Sequence, residues 1–119
     1  MRTITPTYVR LLNMINALRQ MSPLNQLTAD ETVMLDALIV IWHERGPVTV
    51  SEIMNNGQFG SQSTAYRRII ALSEKGFVDL RIDSADRRVK FVDPTEIAHR
   101  YMKELGGFLG QLKTVGSAP

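Results

Sequence analysis

The sequence predicts a mainly α-helical chain with one small β-hairpin, and three observations carry that prediction. Apolar residues recur at helical spacing through most of the chain. Helix-opening signals stand ahead of those stretches at Thr5-Pro6, Thr28, Thr49, Ser61 and Asp93-Pro94. Between the last two signals the period changes from helical to alternating, beginning at Val78 and recurring through Phe91.

The first helix starts with Thr5 as N-cap and Pro6 at the first helical position, where the missing N–H costs nothing. Leu11, Met14, Ile15, Leu18 and Met21 form its apolar stripe, and Ser22-Pro23 stops it. Thr28 and Glu31 have the spacing of a capping box, in which each residue satisfies the other's free backbone N–H. The stretch Val33 to Trp42 is apolar on nearly every face, which predicts a central helix buried on most sides. Gly46-Pro47 closes it. Thr49 and Glu52 repeat the capping box for a short helix that ends at Asn55-Asn56-Gly57. Ser61 caps a fourth helix running to about Lys75. There Ala65, Ile69 and Leu72 share one face, Ser63 and Arg67 lie opposite, and Thr64 and Tyr66 flank them.

Gly76 ends that helix and the alternating stretches follow, Val78 to Asp83 and Arg88 to Phe91. Asp83-Ser84-Ala85-Asp86 between them reads as a turn. Asp93, Pro94 and Glu96 are spaced as N-cap, first residue and third residue of a last helix. Its stripe is Ile97, Tyr101, Leu105, Phe108, Leu109 and Leu112. Gly106, Gly107 and Gly110 each weaken it by about 1 kcal/mol relative to alanine. They predict a kink or an end near Gly106; the other reading is that 106 and 110 admit a second helix at close range. Residues 114–119 read as a flexible tail.

At 119 residues and 44% apolar content, the chain is expected to form a single domain over 1–119 with one modest core. The absence of cysteine excludes disulfides, thiolate metal sites and cysteine nucleophiles. The longest apolar stretch, Ala37 to Trp42, is too short to span a bilayer, and Met1 to Gln20 has no signal-peptide pattern, so a soluble cytoplasmic protein without a membrane partner is expected. Net charge is +2 but unevenly spread, with a net of −4 over residues 22–60 and +3 over 61–90. A concentrated basic stretch suits phosphates, although a solvated surface shows the same pattern.

A short helix joined through a glycine-containing turn to a second, basic helix describes a helix-turn-helix, and the hairpin after it supplies a wing. The helix-turn-helix core is placed at about 24–93, flanked by terminal helices at about 5–21 and 94–113. The second helix of such a motif enters the major groove with its N-terminal residues toward the bases. Ser61 opens that helix, and its free N–H groups suit a phosphate. Gln62, Ser63 and Thr64 can bond base edges or phosphates, and Arg67 can contact guanine or a phosphate. Tyr66 and Arg68 are assigned to the DNA backbone. Arg87, Arg88 and Lys90 give the hairpin its charge; Arg87 and Arg88 suit a minor groove, and Asp86 suits fixing an arginine by an ion pair.

The runs Val48-Thr49-Val50-Ser51-Glu52-Ile53, Ser61-Gln62-Ser63-Thr64-Ala65-Tyr66-Arg67-Arg68-Ile69, Glu74-Lys75-Gly76-Phe77-Val78 and Asp86-Arg87-Arg88 together resemble the MarR family of bacterial winged-helix transcriptional regulators. The resemblance covers roughly residues 28–98. It implies operator binding as a dimer, with the helix from Ser61 in the major groove, Arg88 reading the minor groove and Asp86 orienting it. Small-molecule effectors are frequent in that family, but no ligand-specific pattern appears in this sequence. The chain departs from the family where Pro94-Thr95 and Ala98 follow the wing, since only Thr95 matches the usual Leu-Thr and later Gly. The turn Asn56–Gly60 is longer and the terminal helical region shorter than in most members.

Apolar stripes on both terminal helices of so small a chain favour an isologous homodimer through those helices, the other reading being that they cover only the chain's own core. His43 and His99 have no metal-ligand spacing, and no phosphate-binding glycine loop follows a strand. No metal, cofactor or catalytic residue is therefore expected. The favoured function is a double-stranded DNA-binding regulator, a repressor on a palindromic operator; the competing one is a winged-helix module that holds another protein.

Overall fold

The chain runs α1 (Pro6–Arg19), a 3-10 turn (Leu24–Gln26), α2 (Ala29–Arg45), β1 (Val48–Thr49), α3 (Val50–Asn55), α4 (Gln62–Glu74), β2 (Val78–Ile82), β3 (Lys90–Pro94) and α5 (Glu96–Gly116). This computed structural model describes residues 3–116, with side chains through Gly110. Both T-x-x-E signals are closed capping boxes. Thr28 Oγ1 accepts from the Glu31 N–H at 3.2 Å while Glu31 Oε1 accepts from the Thr28 N–H at 3.0 Å. Thr49 and Glu52 repeat this at 3.1 and 3.2 Å.

The three strands form an antiparallel sheet in the order β1-β3-β2. Val48 faces Val92 across one ladder, and Leu80 faces Val92 across the other. Residues 27–98 make one compact unit. Its core holds Met34, Leu35 and Leu38 of α2, Val50 and Ile53 of α3, Ala65, Ile69 and Leu72 of α4, and Phe77, Val78 and Val92 around the sheet, all buried. Each large apolar side chain so buried contributes roughly 1.5–3 kcal/mol. Trp42 is half-buried, and its Nε1 donates to the Val92 carbonyl at 2.8 Å.

Gly76 joins α4 to the sheet. Its φ of 86° is in the left-handed region that an L side chain resists. The Phe77 N–H reaches back to the Leu72 carbonyl at 2.9 Å and the Gly76 N–H to that of Ser73 at 3.1 Å, which together close the helix as a Schellman motif. The chain therefore passes from α4 into β2 within three residues, and the hairpin's direction is tied to that of α4.

Residues 3–26 and 99–116 make a second compact unit, in which Leu18, Leu24 and Tyr101 are buried.

The structure corrects several expectations. The two-residue strand β1 was not foreseen. The second hairpin strand starts at Lys90, so Arg88 and Val89 belong to the turn, where Asp83 N–H bonds the Val89 carbonyl and Val89 N–H the Asp86 carbonyl. The last helix is capped by Thr95 and not by Asp93: Thr95 Oγ1 accepts from the Ala98 N–H at 3.3 Å and donates to the Gly76 carbonyl at 2.7 Å. Asp93 stays in β3 opposite Asp79, and Arg81 relieves that like-charge pairing by bonding Asp93 at 2.7 Å while stacking on Phe91. α1 ends at Arg19, which leaves Met21 outside the helix and exposed. In α2 the stretch Val33 to Trp42 is buried or half-buried except along one face, where Val33 and Val40 are 64% and 53% exposed. α5 does not end near Gly106 but continues to Gly116, so Thr114 to Gly116 are helical; 117–119 lie outside the described residues.

Candidate nucleic-acid interface

The first turn of α4 carries a compact set of hydroxyl groups. Ser61 is the N-cap, its Oγ accepting from the Thr64 N–H at 3.2 Å and donating to Thr64 Oγ1 at 2.9 Å. Ser63 Oγ lies 3.3 Å from Ser61 Oγ, and Arg67 Nη2 reaches Thr64 Oγ1 at 3.4 Å. No acidic residue stands in this turn, so nothing there offsets the positive end of the helix dipole. Ala65, Ile69 and Leu72 are buried as their spacing predicts, which turns Ser63 and Arg67 outward.

Of the residues singled out from the sequence, Ser61, Gln62, Ser63, Tyr66, Arg67, Arg87, Arg88 and Lys90 are exposed, and Thr64, Arg68 and Asp86 are partly covered. Two depressions flank the start of α4. One, of about 640 Å³, gathers Gln62 with Ser51 and Asn55 of α3 and with Arg88 and Lys90 of the hairpin. The other, of about 290 Å³, gathers Thr64, Arg67 and Arg68 with Thr28, Asp30 and Glu31 at the start of α2.

Arg68 differs from its neighbours. Its Nη1 donates to the Phe59 carbonyl at 3.3 Å and its Nη2 lies 3.3 Å from Asp30 Oδ2. These bonds hold α4 to the preceding loop and to α2, which makes Arg68 a positioning residue. Phe59 is buried at 3% exposure, so the loop Asn56–Gly60 is long because it carries a core side chain inward and back. Below it, Lys75 Nζ meets Glu31 Oε1 at 2.6 Å. Burial pushes the Glu31 carboxyl upward, but Lys75 and the Thr28 N–H together overcome this and hold it below its ordinary value.

At the turn of the hairpin, Asp86 Oδ1 accepts from Arg88 N–H at 3.0 Å and from Nε at 3.1 Å, and Oδ2 accepts from Nη2 at 3.2 Å. The Arg88 guanidinium, and after it the Arg88 N–H, lower the Asp86 pKa. The Arg88 side chain is nonetheless 91% exposed, so it is oriented without being covered. Asn55 and Ser51 were missed in the sequence, where Asn55 read only as a helix terminator. Among the described residues, no cluster of three or more histidine or acidic side chains is placed to hold a metal ion, and no helix is long and apolar enough to cross a membrane.

A short helix, a turn and an outward-polar helix, followed at once by an antiparallel hairpin closed against a third strand, define a winged helix-turn-helix. No protein-family model and no curated protein sequence matches the chain. Among solved structures it is similar to BpsR of Bordetella bronchiseptica, whose DNA binding is regulated by 6-hydroxynicotinic acid. That likeness has a TM-score of 0.53 at 23% identity, over 95% of this chain and 76% of that one. It is also similar to the adhesin competence repressor AdcR of Streptococcus pyogenes, with a TM-score of 0.53 at 19% identity, over 93% of this chain and 78% of that one. The likeness is one of fold, and the fold is the winged helix that the MarR-like motifs imply.

Proposed function

We propose that this chain is a sequence-specific regulator of transcription that binds double-stranded DNA, a repressor acting as a homodimer on a palindromic operator. The observation that carries this reading is the groove in which Gln62 of α4 meets Arg88 and Lys90 of the hairpin. When a recognition helix lies in a major groove and a wing in the adjacent minor groove, the sugar-phosphate strand dividing the two grooves passes between helix and wing. A groove with two cations and several hydroxyl and amide groups suits that strand.

Dimerisation is supported by the exposed apolar side chains of the terminal helices, with Ile4 just before α1, Tyr8 and Leu12 on it, and Leu109 on α5 between 40% and 66% exposed. A two-fold dimer puts two reading helices about 34 Å apart, one turn of DNA. Regulation by a small organic effector belongs to the same reading, by likeness to the Bordetella regulator. A cytoplasmic location and a non-enzymatic role follow from it.

Titrating the protein with duplex DNA at two salt concentrations tests the reading, because phosphate contacts release counterions and make affinity fall steeply with salt. A steep fall is expected. Absence of salt-dependent duplex affinity points instead to the protein-binding module.

A further inference from the structure

The groove beside the hairpin contains a directional hydrogen-bond relay. Gln62 Nε2 donates to Asn55 Oδ1 at 2.6 Å, and Asn55 Nδ2 donates to Ser51 Oγ at 3.3 Å. The relay joins α3 to α4 across the turn of the helix-turn-helix. All three side chains are exposed, so the relay adds little to the folded state in water.

We propose that Asn55 is a specificity-positioning residue: it holds the Gln62 carboxamide in one orientation for reading a base, without touching the base itself. This rests on the DNA-binding reading above.

The direction of the relay supplies the reason. A carboxamide has two N–H donors and one carbonyl acceptor. Asn55 takes one N–H of Gln62, which leaves the other N–H and the whole of Oε1 uncommitted. One donor beside one acceptor is the pattern that glutamine uses against adenine, donating to N7 and accepting from N6. A relay of opposite sense, with Asn55 donating, would occupy Oε1 and spoil that pair. At the far end, Asn55 Nδ2 donates to Ser51 Oγ, a hydroxyl that could serve either sense, so the sense of the relay rests on the 2.6 Å bond from Gln62 Nε2 to Asn55 Oδ1. Glutamine has several rotatable bonds, and one immobilised before binding loses less freedom on contact. Arg88 and Lys90 line the same groove, so a strand they draw in passes the oriented amide.

The test is selection from randomised duplexes, followed by affinity measurements on single-base variants of the selected site. The proteins are wild type, Gln62→Ala, Asn55→Ala, Asn55→Asp and the double variant Asn55→Ala/Gln62→Ala. Gln62→Ala is expected to flatten the preference at one base pair of each half-site by about five- to a hundredfold. Asn55→Ala is expected to flatten the same base pair by about three- to tenfold, and the double variant no more than Gln62→Ala alone. Asn55→Asp keeps the acceptor for Gln62 but adds a negative charge, so it is expected to weaken all duplexes evenly while retaining the preference. The proposal is overturned if Asn55→Ala weakens every sequence equally, if it alters a base pair that Gln62→Ala leaves intact, or if Asn55→Asp loses the preference as fully as Asn55→Ala. A wild-type protein that enriches no sequence overturns the DNA-binding reading and this proposal with it, whereas an enriched site whose Gln62-dependent base pair ignores Asn55 overturns this proposal alone.

Discussion

Glu31 at the start of α2 accepts a 2.6 Å hydrogen bond from Lys75 at the end of α4, across 44 residues of sequence. The same carboxylate oxygen accepts from the Thr28 N–H. One side chain thus caps α2 and anchors the C-terminal end of α4, and the orientation of α4 depends on it.

Glu31→Gln is expected to lower stability by about 1–3 kcal/mol, since it leaves a partly covered ammonium without its counter-charge. The pH dependence follows from the lowered pKa of Glu31. Its contribution is fully present above the ordinary carboxylate value of 4.5 and is lost as pH falls through the lower, folded value. Urea denaturation of both proteins between neutral pH and about pH 3 checks this, and the gap between them should narrow on the acid side.

Adjacent arginines in α4 should separate into two behaviours. Arg67 is exposed and bonded only weakly to Thr64, so Arg67→Ala should leave the melting temperature unchanged and cost about 1–3 kcal/mol of duplex affinity if it reads a base. Arg68 is tied to Phe59 and Asp30, so Arg68→Ala should lower stability by about 1 kcal/mol, most of it from the carbonyl bond, because the Asp30 pair is largely solvated. Thermal melts alongside duplex titrations distinguish them. Equal loss of stability in both variants contradicts the assignment.

Phe59 carries the loop between α3 and α4 into the core. Phe59→Ala should cost about 3–5 kcal/mol, and DNA affinity should disappear together with the cooperative unfolding transition. A variant that remains fully stable while binding DNA normally shows that the loop does not set α4.

Asp86 is acidic in a stretch expected to meet phosphates. If it only repels, Asp86→Ala raises duplex affinity. Because it holds Arg88 by three bonds, the substitution is expected to lower affinity several-fold instead, with stability unchanged. A titration at fixed salt decides the sign.

Much of this fold was legible because helix starts are local chemistry. The residues that make the boxes at Thr28 and Thr49 and the cap at Ser61 lie within four positions of each other. The alternation in the hairpin was legible for the same reason. What escaped was decided at long range. Strand β1 is two residues long, too short for a period, and is extended because β3 offers it an edge at Val92 and Phe91. Asp93 and Thr95 are both good N-caps, and Arg81, twelve residues upstream, draws Asp93 into the sheet. A lone aromatic in a polar loop has no period either, so the burial of Phe59 gave no signal. At the candidate site, the outward face of α4 could be foreseen from spacing, and the pairing of Asp86 with Arg88 in particular from the resemblance to the MarR family. Asn55 could not, since its bond to Gln62 exists only once α3 and α4 have packed.

In the proposed complex, α4 and the hairpin engage one duplex together. Amide resonances followed by NMR during titration with a duplex selected by the protein test it most directly. Residues 61–68 and 86–90 are expected to shift in concert, with one apparent affinity. Shifts confined to the terminal helices, or shifts in α4 that leave the hairpin unmoved, contradict it.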